Sequence, residues 1–360
     1  MVRLTRAQQQ ERTRAAVLAA AVQEFTEHGY ADAKVDRIAA RAELTRGAVY
    51  SNFPSKRSLY LAVLLDSLPG LAATGTTAVA PAGPVDVAGG AEAFARVRLE
   101  RLPLAGDPAA ASKLRCLSLT GVFDDEPGRT ALAEVTRLES LLLAIALESC
   151  RARDTSRRVR LAELILTLLD GAAHLAQTAP GFGDPFDVAR ACRHLAGLDA
   201  DDTWDPPHLP FVAAAQQCHD AWTPPEGLRD EITGGPPALD ADGLIVVLGT
   251  GRLGAAEEAV RAARPRDAVT VAVVTTDPAE SGALVRLRIL DIVACLRRVF
   301  GPAFTPTLRL VLDERAALAA ALDIGATEQT EAAVRLRAGH IVARSHGRGA
   351  AYAAATALVT

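Results

Sequence analysis

The stretch Val35–Phe53, VDRIAARAELTRGAVYSNF, predicts two short helices joined by a tight turn. Apolar residues recur at helical spacing along the first helix, at Val35, Ile38, Ala39 and Ala42. Leu44 falls in the turn, where an apolar side chain can fill the angle between the helices. Thr45 can cap the second helix through its hydroxyl oxygen. Val49 and Phe53 face back toward the first helix, so the two helices should pack together.

The outer face of the second helix combines small and polar residues, namely Arg46, Gly47, Ala48, Tyr50, Ser51 and Asn52. Small residues at its N-terminus let another surface approach closely, and the polar residues can bond to phosphates and base edges. A plain helical hairpin inside a core would not need such a face. We therefore interpret the pair as a helix-turn-helix whose second helix enters a DNA major groove.

Helices are also predicted on both sides of this unit. Arg12–His28 is amphipathic, and Gly29 can end it as a C-terminal capping glycine. A fourth helix, Lys56–Ser67, opens after Pro54-Ser55. Together these segments predict an all-helical DNA-binding domain over residues 1–67.

Residues 12–66 resemble the N-terminal domain of the TetR family of bacterial repressors, through the motifs FTEHGY and VDRIAARAELTRGAVYSNFPSKRSLY. The positions that match the family pattern are Phe25, Gly29, Tyr30, Ile38, Ala39, Ala42, Thr45, Gly47, Tyr50, Phe53, Lys56 and Leu59. Glu43 departs from it, standing where the turn usually has glycine. Either the turn is less tight or Glu43 adopts a left-handed conformation. Ala33 and Lys34 replace the usual pair of hydroxyl residues, which removes one expected phosphate contact.

The resemblance implies a homodimeric repressor that binds a double-stranded DNA operator and is released by a small-molecule effector. The candidate DNA-binding residues are Lys34, Thr45, Arg46, Gly47, Ala48, Tyr50, Ser51, Asn52 and Lys56. Base edges are assigned to Arg46, Ser51 and Asn52, with Gly47 and Ala48 against bases or thymine methyls. Phosphates are assigned to Lys34, Thr45, Tyr50 and Lys56.

Composition favours several domains and a basic head. The chain has 360 residues, which suggests two or three domains, and 49% of them are apolar. Residues 1–60 contain ten Lys or Arg and six Asp or Glu, whereas the rest contains 29 and 37. A basic head on an acidic body suits a protein that offers only its head to nucleic acid. No run approaches the roughly 18 apolar residues of a membrane span, and the polar start lacks a signal-peptide core, so we expect no membrane contact and a cytoplasmic location.

Residues 68–200 predict an all-helical body for effector binding and dimerisation. Residues 71–90 are interpreted as a mobile loop, and helices are predicted over 91–102, 109–123, 128–152, 155–178 and 186–197. The resemblance implies that the last two helices form a four-helix bundle with a second subunit. The candidate effector contacts are Arg115, Arg137, His174 and His194, although a hydrogen-bonded core position is the more ordinary interpretation of His174.

Residues 201–241 are interpreted as a linker with a short helix over Phe211–Trp222, and residues 242–360 as an α/β domain. Strands are predicted over 244–248, 268–275, 307–312, 331–337 and 340–346. Helices are predicted over 254–264, 281–299, 314–323 and 349–358. The fold class is therefore multidomain, with an all-α N-terminal part followed by an α/β C-terminal domain.

Two interpretations of the C-terminal domain remain open. Gly249–Gly254 matches G-x-G-x-x-G between a strand and a helix, and Asp277 follows the next strand, which is typical of dinucleotide binding. However, residues 331–346 predict an antiparallel hairpin around Ala338-Gly339, which is unusual in a nucleotide domain. The order of elements instead resembles the thioredoxin-like fold, in its peroxiredoxin branch.

The redox residues of that fold are missing from this sequence. The cysteine positions of the peroxiredoxin pattern fall near Arg252 and Ala255, and Thr330 stands at the cis-proline position. The five cysteines are scattered and are interpreted as reduced thiols, with Cys295 in the core. We therefore predict a non-catalytic accessory domain, and expect no catalytic residue, metal or cofactor. Backbone N–H groups of residues 252–255 are predicted to favour an anion. The alternative is a regulator that senses redox state or a nicotinamide nucleotide, with the glycine loop binding the dinucleotide or the domain retaining enzymatic activity.

Overall fold

The structure is a computed structural model that describes residues 5–68, 86–103, 109–150, 156–198, 202–301, 304 and 307–357. Its first four helices are α1 (Arg6–Asp32), α2 (Val35–Arg41), α3 (Arg46–Asn52) and α4 (Lys56–Asp66). Helix α1 begins before the predicted Arg12, because Thr5 and Gln8 form a reciprocal capping box at its start. Gly29 breaks α1 near its end with a φ of 70°, where the sequence predicted a helix end.

These four helices enclose one apolar core. Its members share near-complete burial and come from every helix of the head, among them Phe25, Ile38, Val49, Phe53, Leu59 and Leu64. The apolar residues whose spacing predicted α2 and α3, such as Ile38 and Val49, are therefore the residues that these helices bury.

The helical body contains α5 (Val87–Leu99), α6 (Ala109–Arg115), α7 (Glu126–Glu148), α8 (Val159–Thr178) and α9 (Pro185–Leu195). Residues 71–85 of the predicted loop lie outside the described residues. Residues 87–90 of the predicted loop instead form the first turn of α5, which Asp86 caps by accepting the Gly89 N–H at 2.6 Å. The helix predicted over 109–123 ends at Arg115, since Leu117 adopts a left-handed conformation with φ 53°.

The C-terminal part forms a mixed sheet with the strand order β1-β6-β5-β2-β3-β4. Its strands are β1 (Gln216–Ala221), β2 (Gly243–Gly249), β3 (Ala268–Val274), β4 (Leu308–Leu312), β5 (Glu331–Arg337) and β6 (His340–His346). Its helices are α10 (Ala256–Ala262), α11 (Ala283–Phe300), α12 (Ala317–Ala321) and α13 (Ala350–Thr356). Strands β2, β3 and β4 run parallel, whereas β5, β6 and β1 are added antiparallel in succession.

The order of strands and helices predicted for residues 242–360 is the observed order. The helix predicted over Phe211–Trp222 is wrong. Leu209–Phe211 forms a single 3-10 turn, and Gln216–Ala221 becomes the edge strand β1 because it pairs with β6.

The helical body and the sheet share one apolar core. Alternate residues of β2, β3 and β4 face the body, and α11 lies between the two layers with Val285 and Ile289 fully buried. The N-terminal half of α11 also places Leu284 and Leu287 in the core of the head. One helix of the C-terminal part therefore contacts both the body and the head. None of the helices in the described ranges is long and apolar enough to cross a membrane.

Candidate nucleic-acid interface

The turn between α2 and α3 has the geometry that the motif predicted. Thr45 caps α3, with its Oγ1 accepting the Ala48 N–H at 3.2 Å. Glu43 has φ 55°, so it takes the left-handed conformation that the missing glycine would have adopted more easily. Glu43 thus adopts the left-handed backbone of the tight turn although it is not a glycine.

Helix α3 divides into a buried face and an open face. Val49 and Phe53 are buried against the head core. Arg46, Gly47 and Ser51 are exposed, and Ala48, Tyr50 and Asn52 are half-buried. A Cβ added at Gly47 would meet only Thr45 Oγ1, at 3.9 Å, so nothing in the described chain covers the start of α3. This face is available to a partner surface.

The three candidates for base edges differ in their present contacts. The Arg46 guanidinium lies 5.5 Å from the Tyr50 ring centroid and 3.6 Å from the Asp36 carboxylate, and both charged side chains are exposed. Ser51 and Asn52 each donate a hydrogen bond to the Ala48 carbonyl at 2.9 Å. Arg46 is therefore the side chain most able to turn toward a base, whereas Ser51 and Asn52 would first have to give up bonds to their own helix.

The two lysines assigned to phosphates also differ. Lys56 Nζ donates to the carbonyls of Ala31 and Ala33 at 3.1 and 3.2 Å and lies 4.7 Å from the Tyr30 ring centroid. Burial lowers the pKa of this ammonium. Lys34 is exposed at the start of α2, where its side chain makes no capping bond. Of the two candidates for phosphate contacts, Lys34 is thus the more exposed, whereas Lys56 joins α4 to the segment before α2.

Glu24 is a positioning residue that the sequence reading missed. Its carboxylate is fully buried and accepts the Lys34 N–H at 3.0 Å and the Arg37 Nε–H at 2.6 Å. Burial would raise the pKa of Glu24, but these two donors hold it below its ordinary value. Glu24 thereby fixes the start of α2. Together with Glu27 and His28 it forms a cluster of metal-type donors, but Arg37 and Arg41 already neutralise the carboxylates of that cluster.

Residues 17–63 match the sequence profile described as bacterial regulatory proteins, tetR family. This segment is a TetR-family N-terminal domain. A stretch of 79 residues is 37% identical to the HTH-type transcriptional repressor SCO4008 of Streptomyces coelicolor, covering 22% of this chain. The chain spans only 38% of the length of that repressor.

Among solved structures, the chain is similar to NalD of Pseudomonas aeruginosa, the secondary repressor of the MexAB-OprM multidrug efflux pump. The two are 22% identical, over 52% of this chain and 96% of NalD. The TM-score of the superposition is 0.36.

The TetR-family domain is joined directly to the C-terminal part of the chain. At the start of α4, Arg57 donates to Glu280 at 3.0 Å and to Asp125 at 2.9 Å. The Ser55 hydroxyl, which also caps α4, donates to the same Glu280 carboxylate. Glu280 lies in the π-helical turn Pro278–Gly282 that leads into α11. The hydrogen bonds of Glu280 form a polar clamp on the start of α4. Together with Leu284 and Leu287 of α11, this clamp holds α4 against the C-terminal part of the chain.

The glycine loop after β2 does not have the open geometry of α3. A Cβ at Gly249 would lie 2.2 Å from the Thr327 carbonyl oxygen, and one at Gly251 would lie 2.7 Å from Gln329 Nε2. The Gly254 N–H donates to the Glu134 carboxylate of α7 at 2.7 Å. Asp277, the acid expected to bind ribose, instead caps the following turn through the Glu280 and Ser281 N–H groups. The predicted anion position is thus taken by Glu134 of the same chain, and Arg252 is paired with Glu331.

The structure does not bring the candidate effector contacts together. Arg115 lines a cavity of about 300 Å³ near Thr26. Arg137 is exposed and pairs with Glu134 beside an open groove of about 540 Å³. His174 and His194 are exposed on α8 and α9, so the interpretation of His174 as a core residue is wrong. It failed because the C-terminal half of α8 faces outward.

Helices α8 and α9 carry an apolar surface next to that half. Phe182 and Phe186 are 70% and 67% exposed, and Leu175 is 40% exposed. An open groove of about 820 Å³ runs between the two helices, with Leu168, Leu175, Phe182 and Val188 among its lining residues.

The five cysteines are all free. Cys192 and Cys295 are buried, and burial raises the pKa of each thiol to about 11. Neither of these two thiols is poised as a nucleophile, because the thiolate is the reactive form.

Proposed function

We propose that the chain is a homodimeric DNA-binding transcriptional repressor that a small-molecule effector releases from a palindromic operator. The observation that carries the proposal is the open face of α3, with exposed Arg46 and Gly47, in the TetR-family domain of a basic head. A short helix with an arginine and small residues at its N-terminus suits entry into a major groove, where arginine can bond to guanine. A DNA-binding repressor of this kind would work in the cytoplasm.

The apolar surface of α8 and α9 supports the dimer. Three large apolar side chains are well exposed in this region, namely Leu175, Phe182 and Phe186. Leu175 and Phe182 line the groove, and Phe186 directly follows its lining residue Pro185. Monomers rarely expose a large contiguous apolar patch, and a two-fold partner would cover it with the same surface. Two heads related by a two-fold axis would read two half-sites about one DNA turn apart, which is why we expect a palindrome.

We propose that the C-terminal domain is a non-catalytic accessory domain with a thioredoxin-like fold. The strand order β4-β3-β2-β5-β6, with a final antiparallel hairpin, supports that fold. The high pKa of Cys295 and the contacts of the glycine loop with its own chain do not favour the redox or nicotinamide alternative. The clamp of Glu280 on α4 supports a role in setting the position of the heads.

The DNA-binding proposal is tested by selecting duplexes from a random pool with the full-length chain. We expect an enriched near-palindrome, bound by two chains per duplex in sedimentation. The Arg298→Ala variant should enrich the same duplex and so serves as the control for arginine loss outside the head. Arg298 is exposed on α11 and pairs only with Glu100 among the described residues. A pool that shows no enrichment after repeated rounds would contradict the proposal.

The dimer is tested by Phe182→Asp, which puts a charge into the apolar groove. We expect a folded monomer in sedimentation, with weakened binding to the selected duplex, because a dimer would bury that charge without a partner. Phe211→Asp is the control, since Phe211 is 87% exposed and is not among the residues that line the groove. A Phe182→Asp protein that stays dimeric would show that the subunits meet elsewhere.

A further inference from the structure

A small cavity lies where α5, α8 and α11 meet. It encloses about 50 Å³, and its polar wall consists of Arg98, Arg101, Asp170, Arg288 and Asp291. Leucines form the apolar wall, among them Leu99, Leu169 and Leu287. Helix α11, from the C-terminal part of the chain, therefore supplies one side of a cavity whose other residues belong to the helical body.

The arginines of this cavity have more donors than acceptors around them. A guanidinium carries five N–H donors. Among the described residues, Arg98 hydrogen-bonds Asp291 through Nη1 and lies 3.6 Å from Asp170. Arg288 directs both Nε and Nη2 at a single oxygen of Glu139, at 3.1 and 2.5 Å. Arg98 also lies within hydrogen-bonding reach of the Cys295 thiol, and Arg288 lies 4.0 Å from Asp170. The other N–H groups of these two largely buried side chains have no hydrogen bond within the described part of the chain.

Glu139, which pairs with Arg288 beside the cavity, changes this balance when it takes up a proton. Its Oε1 is buried with no hydrogen-bond partner among the described residues. Burial raises the pKa of Glu139 to about 7, although Arg288 and Arg98 oppose the shift, and Asp170 adds to it. When Glu139 is protonated, the three guanidiniums face two carboxylates among the described lining residues, those of Asp170 and Asp291, which leaves one positive charge uncompensated there.

We propose that this cavity binds a small organic carboxylate, whose charged group takes the free donors of Arg98 and Arg288 and whose apolar end faces the leucines. Paired N–H donors match a carboxylate geometrically. A water needs about 10–15 Å³ of such space, so a cavity of this size suits a chain of only a few atoms. The assignment of this ligand as the effector rests on the proposed repressor function. The prediction that the cavity binds a carboxylate does not depend on that function.

Helix α11 connects the cavity to the DNA-binding head. Leu287, Arg288 and Asp291 line the cavity, and Leu287 also packs in the head core together with Leu284, one turn before Arg288. Glu280, just before α11, contacts Ser55 and Arg57 at the start of α4. A ligand that binds one position of α11 better than another would therefore change the position of α4 as well.

Binding is tested by calorimetry on the full-length protein without DNA. The probes are propionate and butyrate, with propionamide as the neutral isostere of propionate and inorganic phosphate as a second anion. We expect saturable binding of one carboxylate per chain and none of propionamide. Equal binding of propionamide, tighter binding of phosphate, or no heat at millimolar propionate would overturn the assignment.

Variants locate the site and test its charge balance. Arg101→Gln removes one of the three positive charges and leaves Asp291 to draw Arg98 away from the ligand, so it should weaken propionate binding at least tenfold. Arg298→Gln on the outer side of α11 should leave binding unchanged. Because Glu139 is charged above its raised pKa and then competes for Arg288, wild-type affinity should fall several-fold from pH 6 to pH 8. Glu139→Gln should bind at pH 8 as the wild type binds at pH 6. A Glu139→Gln protein with the wild-type pH profile would overturn the proposed balance even if Arg101→Gln failed to fold.

The effector role has its own readout. Propionate at saturation should release the wild-type protein from its selected duplex, and should fail to release Arg101→Gln. Binding without release would refute the effector role, while duplex selection would still decide the repressor function separately.

Discussion

One glycine-containing motif of this chain is predicted to approach DNA and another matches a dinucleotide-binding pattern, and their surroundings are opposite. At Gly47 in α3 an added Cβ would meet only Thr45 Oγ1, at 3.9 Å. At Gly249 after β2 it would lie 2.2 Å from the Thr327 carbonyl oxygen. The first glycine leaves space outside the molecule, whereas the second lets two segments of the same chain approach each other. A glycine motif therefore indicates a close approach, and only the fold tells which surface approaches.

The same contrast extends to charge. Arg46 beside Gly47 is exposed and only loosely paired with Asp36. Arg252 beside Gly251 is bound to the buried Glu331, and the Gly254 N–H to Glu134. Arg46 of α3 therefore keeps its donors exposed, whereas the glycine loop uses its donors to join the sheet to the helical body.

The largest effect that would test this comparison is expected for Gly249→Ala. The new methyl would collide with backbone atoms that cannot rotate away, so we expect a loss of about 3 kcal/mol or more in the free energy of unfolding. Urea denaturation measures it. Gly325→Ala is the control, since a Cβ there meets nothing within 4 Å, and it should stay within about 0.5 kcal/mol of wild type. Equal stabilities of the two variants would mean that the loop is not closed.

Gly47→Ala should separate stability from DNA binding. An alanine in α3 meets no obstacle and should raise the free energy of unfolding by up to about 1 kcal/mol, because glycine disfavours helix. The added methyl should nevertheless hinder approach to DNA and weaken duplex binding several-fold in fluorescence anisotropy. Unchanged affinity in this variant would indicate that DNA does not approach the start of α3.

A smaller effect is expected for Lys34→Ala. Lys34 is exposed and its side chain makes no capping bond, so its loss should leave the fold intact. Binding should weaken alike for all duplexes, and the slope of log affinity against log salt should fall by about one. Lys113→Ala, exposed outside the head, should change neither quantity. A slope that is unchanged in Lys34→Ala would remove Lys34 from the phosphate contacts.

The head was predictable because its signals are local. The spacing of Ile38, Leu44 and Val49 determines which faces of α2 and α3 are buried. Thr45 marks the start of α3 because its hydroxyl accepts the N–H of Ala48, three residues later. Even the substitution of glycine by Glu43 predicted one of two backbone states, and the left-handed one occurs.

The errors fall where distant segments decide. The segment predicted as a helix over Phe211–Trp222 contains helix-favouring alanines and glutamines, but its residues Gln216–Ala221 pair with β6, more than 100 residues later, as in Gln216 with Arg344. Tertiary pairing of this kind overrides local propensity. The contacts of Glu134 with Gly254 and of Glu280 with Ser55 likewise join segments 120 and 225 residues apart. Nothing in the local pattern around either glutamate predicts these partners.

The most direct test of the central claim, that the open face of α3 reads DNA, is the preference of Arg46→Ala for the selected duplex over a scrambled one. Anisotropy titrations of both duplexes at the same salt give this ratio, with Arg298→Ala as the control. We predict that Arg46→Ala loses about 1–3 kcal/mol of this preference, because arginine can discriminate a base through two hydrogen bonds, while its binding to the scrambled duplex changes much less. An unchanged preference, or an equal loss of affinity for both duplexes, would contradict the assignment of α3 as the reading helix.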